Sequence, residues 1–440
     1  MLDDKQQFQQ LKNELLSQLQ AYSLQHGLFP TQNLIVNFTS PLPFLSLLKG
    51  QTATPHSPLL PQLYWSNKEK NTTYATLGAI ETVQTIPTAS GDAFYIGGLA
   101  FQQQGPQWQD FPDTLFIRPL MVFAKTHHSP LQVTFHFNGQ HALQDSINAV
   151  QQLAPPQALS ALPPQTFLRS DAPNQREWSE LIDKAIQYKA LLPKVVLSRE
   201  TQLQTEQTVN AWDLMELWRT LNPDCFHYVL QFSPQQQFIS CSPERLFSRQ
   251  QRTLLTEALA GTVNRGRDQR EDALLAQRLL NDKKIDRENH LVQESIVANL
   301  KQLKAEVTCE PTHVTQLHHV QHLCVPIHAK LSEITEDRDL LYKLHPTPAV
   351  GGSPKLPALQ FINDNEPYTR GWYAGAIGYI SEQESDFSVA IRSALISQTH
   401  LKLFAGAGIV TGSIAEQEWQ ELDNKIHTLL SILGVQKNQY

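Results

Sequence analysis

FSVAIRSA, residues 387–394, alternates strictly: Phe387, Val389 and Ile391 fall on one face, and Ser388, Ala390, Arg392 and Ala394 on the other. A period of two predicts a half-buried strand. The same texture surrounds it. Strand-like runs are expected at 194–200 (KVVLSRE), 225–232, 236–242, 371–380 and 400–405. Nearer the start, LIVNF (34–38), AFYIGGLAF (93–101) and LQVTFHF (131–137) are separated by clusters of Pro, Gly, Ser and Asn and read as antiparallel strands. Helical stripes are fewer. Phe8, Leu11, Leu15 and Leu19 predict a surface helix over 4–21, and Trp178, Leu181, Ile182, Ala185 and Ile186 predict another. Longer helical patterns occupy 270–303 and 414–433. Many antiparallel-type strands with a few long helices make the class α+β rather than alternating βαβ. The proline-rich residues 153–174 read as a connection. The division expected is a β-rich region over 1–170, packed into the same globular unit as a catalytic region over 171–440.

The chain has 440 residues, 41% of them hydrophobic, which is ample for a large core. Its 35 basic against 42 acidic residues give a formal charge of −7, which disfavours sequence-independent nucleic-acid binding. Cys225, Cys241, Cys309 and Cys324 are scattered with no CxxC pair, so neither a disulfide scaffold nor a cysteine zinc site is expected. The opening MLDDKQQFQQ lacks the basic and then apolar pattern of a signal peptide. No apolar run approaches a membrane span. A soluble, cytoplasmic protein is the expectation.

The informative stretches lie in the later part of the chain. In 284–300, Glu288 falls between Ile285 and Val292 on the stripe continued by Ile296. It therefore points at the packed face, where an unpaired carboxylate is costly. In the last helix, Trp419, Leu422, Ile426, Leu429 and Leu433 form the stripe, with Glu418, Glu421 and Lys425 along one flank. Ser413 and Glu416 have the spacing of a capping box. Glu288 and Glu421 could converge on one Mg²⁺, a hard cation that takes carboxylate oxygens. Equally, Glu421 and Lys425 could form an i,i+4 ion pair, and Glu288 a structural salt bridge.

Arg392 on a small-residue face suits a cleft that receives a carboxylate, or it is an exposed edge arginine. Lys194 opens its strand after Pro193; it is either a solvated end or, if desolvated and uncharged, a base. FAGAGIV (404–410) has Thr411 where a dinucleotide fingerprint needs glycine, so Gly406 and Gly408 mark close backbone approach instead. HPTPAVGGSP (345–354) presents His345 on a stiff, exposed turn. The histidine-rich THVTQLHHVQHLCVPIHAKL (312–331), with His318 and His322 at i,i+4, reads as strand rather than zinc site.

Taken in order, KVVLSRE (194–200), SPERLF (242–247), EALAGTVNRG (257–266), the Glu288 helix, LHPTPAVGG (344–352), YAGAIGYI (373–380), SVAIRSA (388–394) and AGAGIVTGS…EWQELDNK (405–425) resemble the chorismate-utilising enzymes. The likeness covers about 175–435; the first 170 residues carry no motif of that strength. It implies large antiparallel sheets packed together with helices outside. It implies Mg²⁺ on Glu288 and Glu421. It implies Arg392, Gly408 and Lys425 at the substrate carboxylates, Gly261 and Thr262 in the pocket wall, and His345 and Tyr379 facing the substrate. Glu244 would be the general acid and Lys194 the base. Asn289 stands where many relatives have His. Lys194, where anthranilate synthases usually carry Gln, and Ala260, where aminodeoxychorismate synthases carry a nucleophilic Lys, both disfavour amination. The resemblance thus implies an isochorismate synthase of the menaquinone-pathway type, with salicylate synthase as the near alternative and a non-catalytic chorismate-binding module as a remoter one. The partner implied is the small molecule chorismate, without nucleic acid or membrane, on a monomer or homodimer.

Overall fold

The computed structural model describes the chain apart from residues 1–3, 40, 52–53, 103–107, 127–128, 165, 317–319 and 435–440, and apart from the side chains of 4, 260, 262, 264, 283, 284, 288 and 320. The fold is α+β. All pairings between its strands are antiparallel, and they trace two sheets that meet at one long strand, Thr114–Thr126. One sheet runs from there through Thr72–Val83, Gln62–Ser66, Phe226–Gln231, Gln237–Ser242, Ser393–Ser397 and His400–Val410 to Lys194–Thr205. The other runs through Phe94–Leu99, Ala376–Ser381, Glu384–Val389, Arg245–Gln250 and Thr253–Asn264 to Val320–Lys330. The buried core is continuous between them, with Trp65, Phe116, Tyr228, Phe247 and Phe387 at or near zero exposure. No helix among the described residues is long and apolar enough to cross a membrane. All four cysteines are free thiols, and only Cys309 is exposed.

The expected helices form for the reasons read from their patterns. The first spans Asp4–His26 and buries Phe8, Leu11, Leu15 and Leu19. The second, Gln175–Gln187, starts on an Asn174–Glu177 capping box and buries Trp178, Leu181, Ile182 and Ala185. The long 270–303 pattern divides at Asp282 into Gln269–Asn281 and Lys283–Gln302. The last helix is Ala415–Ile432, but Ser413 does not cap it: its Oγ accepts the Val410 N–H instead, and Glu416 takes a bond from Gln175. The 153–174 connection ends in a strand, Phe167–Ala172, that pairs with Thr201 and its neighbours.

The most instructive departure is FSVAIRSA itself. Its alternation is not one strand. Glu384–Val389 belongs to one sheet and Ser393–Ser397 to the other, and 390–392 cross between them. Arg392 sits at the crossing with φ +46, a conformation a bulky residue holds only when its surroundings impose it. Pro243 and Glu244 make the parallel crossing, between Gln237–Ser242 and Arg245–Gln250. The two crossings are tied together. The Val389 N–H donates to Glu244 O at 3.0 Å and the Cys241 N–H to Arg392 O at 3.0 Å. Ser240 Oγ donates to Ile391 O at 2.7 Å, and Ser242 Oγ to Val389 O at 2.5 Å.

Candidate active site

A cavity of about 350 Å³ opens where the chain changes sheets, within the size range of small-molecule sites. Its floor is the pairing of Lys194–Thr205 with His400–Val410, in which Val196 lies opposite Gly408 and Lys194 opposite Val410. Lys194 and Val196 share a face and line the cavity; Lys194 is 1% exposed. The opposite face holds Arg199, stacked 4.3 Å over Trp419 and bonded to Asp423 at 2.8 Å. That pair locks the last helix to the strand. The helix flank bearing Glu418, Glu421 and Lys425 is thereby turned toward the cavity. Lys425 makes the i,i+4 ion pair with Glu421, at 2.7 Å, and also donates to Gly406 O at 2.7 Å.

Both crossings deliver a side chain to the same space, Glu244 from one and Arg392 from the other. Glu244 is buried, and Thr347 Oγ1 donates to it at 3.3 Å. Burial first, then the nearby Glu257 charge, push its carboxyl up to about 7, against the opposing pull of Thr347, Lys194 and Lys425. A carboxyl so placed keeps its proton near neutrality and can donate it.

Gly261 lines the cavity on a bulge of the Thr253–Asn264 strand, with φ +78. A Cβ there would lie 2.1 Å from Ile285 Cγ2. Only glycine lets the Lys283–Gln302 helix, which carries position 288, come this close to the strand. The side chains of Glu288 and Thr262, and all of His318, lie outside the described residues. Asp282, Glu418 and Glu421 line the cavity, and carboxylates are the ligand type a hard divalent cation takes. Among the described residues, no three His, Cys, Asp or Glu side chains stand close enough together to hold a metal.

The family model for chorismate binding enzymes matches residues 82–434. Isochorismate synthase MenF of Haemophilus influenzae is 34% identical over 436 residues, which is 96% of this chain and 96% of that protein. The chain belongs to the chorismate-binding enzyme family. The structure of the menaquinone-specific isochorismate synthase from Escherichia coli superposes with a TM-score of 0.85 at 33% identity, covering 95% of this chain and 99% of that one. Anthranilate synthase component I from Streptococcus pneumoniae, at 23% identity and a TM-score of 0.65, shares the fold. The family match starts well before residue 175, inside the stretch that carries no strong motif.

Seven of the residues singled out from sequence line the one cavity: Lys194, Glu244, Gly261, Arg392, Gly408, Glu421 and Lys425. Two others are placed elsewhere. Tyr379 packs among Trp65, Tyr74 and Phe94, with its hydroxyl 3.1 Å from Glu384. The tyrosine at the cavity is Tyr373, six residues earlier in the same motif; the absence of a side chain on Gly406 admits its hydroxyl. His345 is buried rather than exposed, with Nε2 3.2 Å from Ala100 O, and burial holds its imidazole down to about 3. The turn it heads reaches the site through Thr347, Ala349 and Val350 instead.

His322, from the histidine-rich stretch read as strand rather than zinc site, lines the cavity. Burial, with the charges of Arg392 and Lys425, holds it down to about 3, so it is a neutral imidazole. Strand alternation places Gln321 and His322 on opposite faces, but nothing in the sequence says which face meets a cavity.

Proposed function

We propose that the protein is an isochorismate synthase, converting chorismate to isochorismate by addition of water at C2 and loss of the C4 hydroxyl. The observation that carries this reading is the meeting of Lys194, from a strand, and Glu244, from a crossing between the sheets, at one cavity that also presents Arg392 and Lys425. Chorismate is a dianion, and two cationic side chains answer its two carboxylates. Lys194 takes a proton from the attacking water. Glu244, protonated, gives one to the departing hydroxyl. The ring double bonds shift between these events, and the product is an isomer of the substrate. Each proton transfer is worth roughly 10²–10⁴-fold.

Glu421 and Glu288 would hold Mg²⁺; Asp282 and Glu418 line the same cavity as Glu421. When bound, the ion supplies charge neutralisation and electron withdrawal at the ring carboxylate. The neutral His322 and the Tyr373 hydroxyl, kept protonated by burial, offer uncharged hydrogen bonds to the substrate. The likeness to menaquinone-specific isochorismate synthase over nearly the whole chain supports a place in quinone synthesis.

The sign of the pH dependence follows from Glu244. An acid must be protonated to act, so kcat/KM falls as pH rises through its value of about 7. The test is incubation with chorismate and Mg²⁺, with products separated by chromatography. Isochorismate is expected from the wild type and is lost in Lys194→Ala and Glu244→Gln. Accumulation of fluorescent salicylate would assign salicylate synthase instead. Wild-type turnover in either variant would remove that residue from its role.

A further inference from the structure

A base and an acid that act on one bound ring must be held at a fixed separation. Lys194 stands at the start of the Lys194–Thr205 strand, and Glu244 at a crossing between sheets. The turn over 345–352 touches both supports. On the strand side, the Val196 N–H donates to Gly351 O at 3.0 Å, and Gly352 and Ser353 pair with Val195 and Lys194. A Cβ on Gly352 would lie 2.4 Å from Lys194 O, so glycine is needed for this approach. On the acid side, Thr347 Oγ1 donates to Glu244 Oε1 at 3.3 Å. Thr347 and Gly351 are joined within the turn: Thr347 O accepts the Val350 and Gly351 N–H groups at 3.1 and 2.9 Å.

Arg370 fastens this turn to the strand. Its guanidinium donates to Val350 O at 3.0 Å and to Val196 O at 2.7 Å, one carbonyl from each element. Both valines line the cavity, whereas Arg370 lies behind it. Arg370 Nε also donates to Glu366 Oε2 at 2.7 Å. Glu366 in turn accepts the Ser198 N–H at 2.8 Å and the Ser198 hydroxyl at 2.9 Å, further along the Lys194 strand. The two side chains are 3% and 2% exposed, so water screens neither charge. Phe101 packs against the guanidinium at 4.3 Å. A planar fork with five N–H donors spans two carbonyls and a carboxylate at once; the compact ammonium of lysine does not.

We infer that Arg370, anchored by Glu366, is a positioning residue: it clamps the turn that carries Thr347 to the strand that carries Lys194, and so holds the acid in register with the base. It does not touch substrate; its effect on the reaction passes through Thr347 to Glu244. The inference rests on the isochorismate synthase reading above, in which Lys194 and Glu244 move the protons. An ion pair needed only for the fold would be indifferent to which cation fills the site and to whether Thr347 keeps its hydroxyl.

The test measures steady-state turnover of chorismate with Mg²⁺, per folded molecule. Arg370→Lys keeps the charge opposite Glu366 but cannot also reach both carbonyls. Arg370→Met/Glu366→Gln removes both charges and leaves neither buried alone, which guards against misfolding. In each, kcat falls roughly 10–10²-fold while KM stays close to wild type. Thr347→Val, which removes the hydroxyl alone, also lowers kcat. Combined with Arg370→Lys, its loss falls short of the product of the two separate losses, because both act through one contact. Wild-type kcat in Arg370→Lys or in Thr347→Val, or losses that multiply, overturn the inference. Hydrogen exchange of the 345–353 amides reads the clamp without turnover, and it is faster in both Arg370 variants than in the wild type. Faster exchange at wild-type kcat, or lower kcat at unchanged exchange, overturns the inference alone. A wild type that makes no isochorismate overturns the reading on which it rests, whatever the exchange shows.

Discussion

The strands before residue 170 and those after it share sheets, register and core, yet they differ in what they give the cavity. Leu63 and Trp65 pair with Leu230 and Tyr228, and Ile96 pairs with Tyr379, across that divide. Every side chain lining the cavity nevertheless comes from Lys194 or later. The earlier strands act one layer back. The Ala100 carbonyl holds His345, Phe101 lies under the Arg370 guanidinium at 4.3 Å, and Lys68 neutralises Glu257. Sheet continuity therefore spreads stability across the chain, while chemistry gathers where strands change sheets.

That contrast can be broken most directly at its catalytic end. Lys194→Ala and Glu244→Gln should each lower kcat by roughly 10²–10⁴-fold with little change in melting temperature, measured by chorismate turnover and calorimetry. The complementary change is Trp65→Ala in the earlier strands. Trp65 is fully buried against Tyr74, Phe226 and Tyr379, so its loss should cost about 3–5 kcal/mol of stability. The kcat per folded molecule should stay near wild type. A large fall in kcat at unchanged stability would show that the earlier strands shape the cavity directly.

Gly261→Ala probes the seam. The φ of +78 alone costs an alanine about 1–3 kcal/mol, and the clash with Ile285 pushes away the helix that carries Glu288. A lower melting temperature and a higher Mg²⁺ requirement are expected together. Unchanged Mg²⁺ dependence would detach that helix from the metal. The smallest effect distinguishes the two tyrosines of one motif. Tyr373→Phe should lower kcat/KM by about fivefold, the worth of one hydrogen bond, and Tyr379→Phe should leave it alone. The reverse order would return Tyr379 to the substrate.

How much of this was legible in the sequence follows from the same geometry. Strand faces were: Lys194 and Val196 toward the cavity and Arg199 away from it is the period-two reading of KVVLSRE. Helix flanks were too, since Glu418, Glu421 and Lys425 turn as one side of the last helix. Crossings were not. Alternation runs unbroken through SVAIRSA, so a change of sheet at 390–392 leaves no mark on the pattern. It is written instead in Ser240 and Ser242, whose hydroxyls pin the crossing from a strand 150 residues earlier in the chain. The expectation for Tyr379 rests on resemblance and on no pattern in these residues; Tyr373, on the turn before the Ala376–Ser381 strand, is the one that lines the cavity, and no local periodicity marks it. The two-residue bond that ties Thr347 to Glu244 depends on contacts across more than a hundred residues, which no local pattern encodes.

The central claim is that a water molecule, activated at Lys194, becomes the new hydroxyl while Glu244 expels the old one. Turnover of chorismate in ¹⁸O-labelled water, with the product examined by mass spectrometry, tests it most directly. The account predicts one solvent oxygen in each isochorismate molecule, located at C2. Isochorismate that carries only the oxygens of the starting chorismate would contradict it, because the hydroxyl would then have migrated within the substrate.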